Sequence, residues 1–526
     1  MATPIVLSRA TGLTLIGEAG QSRISGGSQV IHGATAVGHT AATSRQIFRF
    51  DTCATVTVRN LTFDGGLAEG HSYYGASYRD QQALIEFRSC KDLRFESCTF
   101  TRFIPAAPVQ SAGGQLNPDP YEQGNLGPLF ARECDGVELL QCKILTPSYG
   151  EGFCITQSSR VTVDRLYTNA GYDTSPVYGM SSALNITGPL CHDVRITNCT
   201  FHKHRGSCIN LGGAGNFYVA GNESYYGEGI DCSIENTELL IPDAAPTEHI
   251  TIVGNTIRDA IHEAGSNGIT VGGAQDDARK FRHITVADNV IDGATVGIVV
   301  IGCEDVQLRH NQLRRVFQIA PAANYGNGIV VENCNGVAVS DNTVDGTERV
   351  DGKRLTVGLY VADCEDVEVA HNTLIDAQFT NLDVAVTDAY SLPYTGGTRT
   401  LKSMGHGSYV IRGQKSGATL VVIGRSVTQG AVADGTAAGV IRGVKKTGDF
   451  QAGEPLTVGP ELAAVAGGNA VLIDRMHRVD IHDNQSITKT TTTRPIVIGP
   501  AGTNVMRPPH WANNQHNGAP VASPRR

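Results

Sequence analysis

Four short turns hold the residue types that acid–base chemistry needs. "SYGEG" begins at Ser148, "HKHRG" at His202, "YYGEG" at Tyr225 and "HEAGSNG" at His262. Together they supply Glu151, His204, Arg205, Glu228, His262 and Glu263, and Asp231 follows Glu228 on the next stretch. Two carboxyl groups across a scissile bond can divide the roles of acid and of base or nucleophile. Glu228 with Asp231 or Glu263 is the best such pair. A base such as His204 or Tyr226, with Arg205 to hold a carboxylate, suits elimination instead. Tyr149, Tyr225 and Tyr226 add flat faces on which a ring can stack. Each turn taken alone also reads as a solvated polar loop, so the reading depends on what brings the turns together.

A repeat does that. "HITVADNVIDG" at His283 has near-copies in "HITIVGNTIRD" at His249, "GVAVSDNTVDG" at Gly336 and "DVEVAHNTLID" at Asp366. Each copy opens with a short alternating apolar strand. Anchored on its first apolar residue, the series runs Val56, Leu93, Val137, Val161, Val194, Phe217, Ile250, Ile284, Val306, Val337, Val367 and Val479, with Leu13 ahead of them. From Ile250 to Val367 the spacings are 34, 22, 31 and 30 residues. Five residues past the anchor stand Asn222, Asn255, Asn289, Asn311, Asn342, Asn372 and Asn484, with Cys98, Cys142 and Cys199 in earlier copies. A second strand opens on Gly, as in "GIVVIG" at Gly297 and "GIVVE" at Gly328. Short strands and Asn/Gly turns at this period are the signature of a parallel β-solenoid, and a recurring Asn can bond its copies above and below. Helical periodicity is absent over any useful length.

Coils stack about 4.8 Å apart, so acids on adjacent coils stand about 5 Å apart and acids two coils apart about 10 Å. These distances bracket the carboxyl separations of retaining and inverting glycoside hydrolysis.

The bulk numbers agree. The chain has 526 residues, 61 Gly and one Trp, more than one ordinary core would use. A net charge of −9 without a basic face argues against nucleic acid as partner. No run of about 18 apolar residues is long enough to cross a membrane as a helix, and no signal peptide is visible. All 13 cysteines fall on repeat positions, seven of them three residues before an anchor, and read as small buried residues. Free thiols without a secretory signal suit folding in a reducing cytosol. The sequons at Asn60, Asn185, Asn198, Asn222 and Asn484 read as by-products of the repeat. No cofactor is called for, and no ligand cluster compels a metal.

On this repeat grammar the chain resembles the right-handed parallel β-helix proteins of the pectate-lyase-like superfamily, over residues 7–499 less one insert. The likeness implies an all-β, single-stranded right-handed parallel β-helix of about a dozen coils. It is also similar to phage tailspike depolymerases. That likeness implies a homotrimer beside other virion proteins, acting on a bacterial capsule or exopolysaccharide after cytosolic folding. In that reading Glu228, Asp231 and Glu263 cleave the glycan while Tyr149, Glu151, His204, Arg205, Tyr225, Tyr226 and His262 bind it. The rivals are a non-catalytic glycan-binding or structural spike and a free-standing lyase or epimerase. "GHG" at 405–407 matches a polygalacturonase motif, but it stands alone and off the ladder.

Residues 1–390 are expected to form the helix, 391–468 an inserted small β-domain, 469–500 the final coils and 501–526 an irregular tail. "YVIRGQKSG" at Tyr409 and "GVIRGVKKTG" at Gly439 echo each other inside the insert, which could serve as a spacer, a subunit contact or a sugar-binding module. Longer loops fall at 65–82, 103–127 and 237–249, and such loops on a rigid scaffold build grooves or contacts. No amphipathic helix precedes the first coil, so a partner or a further domain is expected to cover it.

Overall fold

The structure is a computed structural model that describes residues 4–25, 28–36, 39–44, 46–66, 73–75, 83–102, 128–145, 152–169, 182–204, 206–233, 247–260, 267–272, 281–317, 327–348, 355–362, 364–378, 380–385, 389–397, 409–430, 435–458, 461–474, 479–488, 494–498 and 510–521. Strands are the only regular elements among the described residues, and no helix there is long and apolar enough to cross a membrane. The protein is an all-β parallel β-helix. The chain divides into two compact units, residues 1–237 with 251–269, and residues 238–250 with 270–526.

Each coil carries three strands, called a, b and c in chain order. In the first unit the a-strands stack in parallel from Ile5–Ser8 through Phe48–Asp51 and Ile85–Arg88 to Ser207–Leu211 and Glu228–Ser233. The b-strands, such as Lys91–Glu96, bury Leu93 and Phe95 and turn Arg94 and Glu96 outward, the period-two pattern that the repeat carries. Most c-strands, such as Thr99–Thr101 and Lys143–Leu145, are three residues long and bury one side chain. The sequence reading had two strands per copy. Three residues are too few to show an alternation, so the c-strand was hidden in the stretch after the Asn.

The turn between b and c explains the Asn. The residue before it adopts a left-handed backbone, with φ of 57° at Asp288, 54° at His310, 56° at Asp341, 55° at His371 and 54° at Asp483. Asn, Asp and His tolerate that region best among residues with a side chain. The bend delivers the following Asn into the coil. Asn342 is 1% exposed; its Nδ2 donates to Asn372 Oδ1 at 3.0 Å and to Leu308 O at 2.9 Å. Its Oδ1 accepts from the backbone N and the Nδ2 of Asn311 at 3.0 and 2.9 Å. In the second unit the chain of amides runs from Asn289 to Asn311, Asn342, Asn372, Asn484 and Asn514. In the first, Asn222 bonds Asn255 and takes the backbone N–H of Cys199.

The Gly at the second position of later a-strands, such as Val296–Ile301 and Asn327–Glu332, has an equally direct cause. A Cβ on Gly297 would stand 2.4 Å from Gly328 O, and one on Gly328 would stand 2.4 Å from Gly358 O. Adjacent coils therefore need Gly above Gly at this corner.

All thirteen cysteines are buried and free. Those in the a–b turn form their own line: Cys53 N donates to Cys90 Sγ at 3.3 Å and Cys303 N to Cys334 Sγ at 3.4 Å. The first unit also stacks phenylalanines, with Phe50 and Phe87 ring centroids 4.6 Å apart at 10°.

Three features depart from the sequence reading or add to it. Ser28–Ala36 and His39–Ser44 pair as an antiparallel hairpin off the first coil. A seven-stranded, largely antiparallel sheet spans Ala389–Gly397 to Val471–Asp474, wider at both ends than the expected insert, with its own core around Leu392, Ile411, Leu420 and Ile441. Residues 510–520, expected to be irregular, continue the coils instead. His510–Ala512 pairs with Val479–His482, and Asn514 takes the next place in the ladder. "HWANNQHNG" obeys the repeat grammar, but its Pro- and Asn-rich surroundings disguised it as tail. On the first coil Ile5, Val6 and Ile16 are exposed.

Candidate functional site

The outward face of the first unit's a-sheet changes character along one row. Registered side by side on successive coils are Arg49, Glu86, Phe130, Cys154, Asn185, Asn210 and Asp231. Phe130 and Cys154 pack with Ala83 in a small apolar cluster. The next three are polar, at about 4.8 Å per coil. Each is held outward because its flanking residues point in: Leu184 and Ile186, Ile209 and Leu211, Ile230 and Cys232 are all buried.

Asn185 is buried, and Asn210 and Asp231 are half-buried. Asn185 is 9% exposed, and its Oδ1 meets no hydrogen-bond partner; neither does Asp231 Oδ1. Burial pushes the Asp231 carboxyl above its ordinary range, against a hydrogen bond from Ser233, two residues on along the same face. A carboxyl that keeps its proton closer to neutral pH is a candidate proton donor. Amides beside it can both donate to and accept from hydroxyl groups.

The other expected residues are placed as follows. Glu228 opens the strand that carries Asp231, in register with Ser207. His204 is 1% exposed, its Nε2 lies 2.6 Å from Thr168 Oγ1, and its Nδ1 meets no partner. Burial, with His202 nearby, lowers its pKa to about 3, so it is a neutral imidazole packed inside the coil. A Cβ on Gly227 would stand 2.9 Å from His204 O, which fixes glycine at the neighbouring corner. Tyr225 stands outward on the c-sheet, 45% exposed, and continues a line of rings: Tyr167 to His202 at 5.6 Å and His202 to Tyr225 at 5.9 Å. Tyr226 turns the c–a corner with φ of 64° and is half-buried. Tyr149, Glu151, Arg205, His262 and Glu263 lie outside the described residues, as do "GHG" and most of the expected long loops.

The sequence reading brought out Asp231 but missed Asn185 and Asn210. The signal was present: "LNIT", "INL" and "IDC" each set a polar residue between two inward apolar ones, where other coils have "FCI" and "IVV". In the sequence Asn185 reads only as part of a chance sequon.

An open groove of about 550 Å³ on the b-sheet is a poorer candidate, lined by Asp92, Arg94, Glu138 and Arg160 among others. Its charges neutralise each other: Arg94 bonds Glu138 at 2.6 Å, and Arg160 bonds Asp135 at 2.6 Å and Asp92 at 3.0 Å. Among the described residues, metal-ligand spacing occurs in the second unit, at His371, His482 and Asp483.

The family model described as a right-handed β-helix region matches residues 130–313 and 244–433, together more than half of the chain. The chain belongs to the right-handed β-helix family. This agrees with the pectate-lyase-like resemblance that the repeat carries. No curated protein sequence matches this β-helix protein. Among solved structures, a mutant tailspike protein of E. coli bacteriophage HK620 in complex with a pentasaccharide is 11% identical, with a TM-score of 0.40 over 84% of this chain and 86% of its own. The family 28 exopolygalacturonase of Yersinia enterocolitica is 10% identical, with a TM-score of 0.37 over 70% and 69%. A family 87 α-1,3-glucanase catalytic domain in complex with tetrasaccharides is 12% identical, with a TM-score of 0.33 over 70% of this chain and 58% of its own. The β-helix protein thus spans less than two thirds of that catalytic domain. At such identities the likeness concerns the fold alone.

Proposed function

We propose that this β-helix protein acts on a polysaccharide along the outward face of its a-sheet, with Asp231 as the acid. The observation that carries this reading is the Asp231 carboxyl, its pKa raised by burial, in one row with Asn185 and Asn210. Hydroxyl-rich chains suit amides that both donate and accept, and the line Tyr167, His202, Tyr225 on the adjoining c-sheet offers ring faces for sugar stacking. Glu228, three residues before Asp231 on the same strand, is the first choice for the partner carboxylate, which an inverting reaction would use to activate water. Glu263 remains a rival partner for that role, with Glu151, Arg205 and His262 as further contacts. The finer reading is a trimeric virion spike that cleaves a bacterial capsule or exopolysaccharide. What supports it is the resemblance carried by the repeat and thirteen buried free thiols, which suit cytosolic folding.

The test is incubation with a panel of capsular polysaccharides and exopolysaccharides, following chain length together with ultraviolet absorbance of unsaturated uronates. Shortening without absorbance is expected, and Asp231→Asn should slow it about 10²–10⁴-fold. Shortening with absorbance moves the reaction to elimination. A polymer that is bound but left intact makes the protein a glycan-binding spike. Undiminished cleavage by Asp231→Asn removes the proposed acid.

A further inference from the structure

We infer that the second unit carries a binding site for a borderline divalent metal such as Zn²⁺, built from His371, His482 and Asp483. The ligand atoms of these three side chains lie within 4.8 Å of one another. They come from the b–c turns of two registered coils: Ala370 pairs with His482, and His371 N donates to His482 O. His371 is exposed, and His482 and Asp483 are half-buried, so an ion could enter from solvent.

The rings are already arranged for ligation. Those of His371 and His482 meet edge to face, 5.5 Å apart at 89°. His482 is held at both nitrogens, with Nδ1 2.8 Å from Asp483 Oδ2 and Nε2 3.3 Å from Glu368 Oε1. Glu368 can accept the Nε2 proton and so leave the Nδ1 lone pair for a metal, the carboxylate–histidine–metal arrangement that orients ligands elsewhere. Asp483 would then pass from accepting an Nδ1–H to ligating the ion, with the single proton of the neutral imidazole shifted to Nε2 towards Glu368. Two imidazoles and one carboxylate favour zinc, nickel or cobalt over calcium or magnesium, which prefer all-oxygen shells.

The position gives such an ion a task. The coil of His371 precedes the inserted sheet and the coil of His482 follows it, so the site joins strands whose ladder residues, Asn372 and Asn484, are 112 positions apart. An ion there clips together the two coils from which the insert hangs. His310 offers a built-in control: it occupies the same turn two coils earlier, with Asp288 and Asp341 no nearer than 3.7 and 3.9 Å.

The full chain, stripped with a chelator and dialysed, should bind one Zn²⁺ by calorimetry and melt at a higher temperature with Zn²⁺ than without. His371→Gln should weaken that binding about 100-fold and abolish the thermal shift, and Glu368→Gln about 10-fold. His310→Gln should change neither. Stoichiometric Co²⁺ should give visible absorption that His371→Gln loses. No saturable binding of Zn²⁺ or Co²⁺, or binding unaffected by His371→Gln, overturns the inference. Should His371→Gln fail to fold, protection of His371 from diethyl pyrocarbonate by Zn²⁺, read by peptide mass spectrometry, decides in its place. Protection supports the site and unchanged labelling overturns it.

Discussion

Burial gives two titratable groups near residue 230 opposite fates. It raises the Asp231 carboxyl and depresses the His204 imidazole, because in each case the charged form loses water. For His204 the consequence is a defined acid sensitivity. The unfolded chain takes up a proton near the ordinary value of 6.5, and the folded one refuses it until about 3. The folded state is therefore fully favoured above about pH 6.5, and stability falls by about 1.4 kcal/mol per pH unit below it, levelling near pH 3. His204→Gln, which can keep the bond to Thr168, should remove that share of the slope. Between pH 7 and pH 5 wild type should lose about 2 kcal/mol that the variant does not, read from urea unfolding. An identical pH dependence of the two proteins would mean that His204 takes up its proton as readily in the folded chain as in the unfolded one. The sequence singled out His204 from its turn and Asp231 from the strand that follows Glu228, yet could not tell an inward His204 from an outward Asp231. Facing depends on where the chain rounds a corner, and at Tyr226 that is set by one left-handed residue and by the Gly227 beside it.

At the scale of the element, the ladder Asn carries more than any strand residue. Asn342 occupies all its hydrogen-bonding capacity within three consecutive coils. Asn342→Leu would leave the backbone N–H and the Nδ2 of Asn311 buried without that partner, at about 1–3 kcal/mol for each group. We expect a loss of about 3–5 kcal/mol, concentrated on the neighbouring coils because solenoid stability is built from nearest-neighbour terms. Hydrogen exchange should rise at residues 303–316 and 365–375 and stay low in the first unit. Uniform exchange across the chain, or none, would show that the ladder is not a local tie. This element was legible because its cause is periodic: a left-handed residue followed by Asn leaves the same mark in every copy. The c-strand was not, since three residues bury one side chain and leave no pattern. Asn185 and Asn210 were hidden for the opposite reason: the row runs across coils, so its members lie more than twenty residues apart and share no local motif. His371 and His482 are hidden in the same way, separated by the insert.

For the molecule as a whole, the insert tests how independent the second unit's coils are. The sheet leaves and rejoins the helix at partnered residues, since Ala389 pairs with Asp474 at its base. Directly opposed antiparallel residues are about 5 Å apart, so a two-residue turn can bridge them. The sheet closes its own core around Leu392, Tyr394 and Ile441, and its buried Glu454 is satisfied internally by Ser416, Lys415 and Gln451. The coils on either side, meanwhile, pair with each other through Val367–Val479, Thr373–Gln485 and Thr380–Arg494 without its help. Replacing residues 390–473 by Asn-Gly should therefore leave a cooperative β-rich protein with a similar melting temperature, its thiols still unreactive to a water-soluble reagent. The loop that the ladder must close also shortens greatly, which lowers the entropy of the unfolded chain and opposes any loss of contacts. Sedimentation should be run on both forms. If full-length protein is a trimer and the shortened one a monomer, the insert is the subunit contact and the coils fold alone. A shortened chain that aggregates with exposed thiols would show instead that the final coils depend on the insert, and the partnered base at Ala389 and Asp474 would be a structural joint rather than a point of attachment.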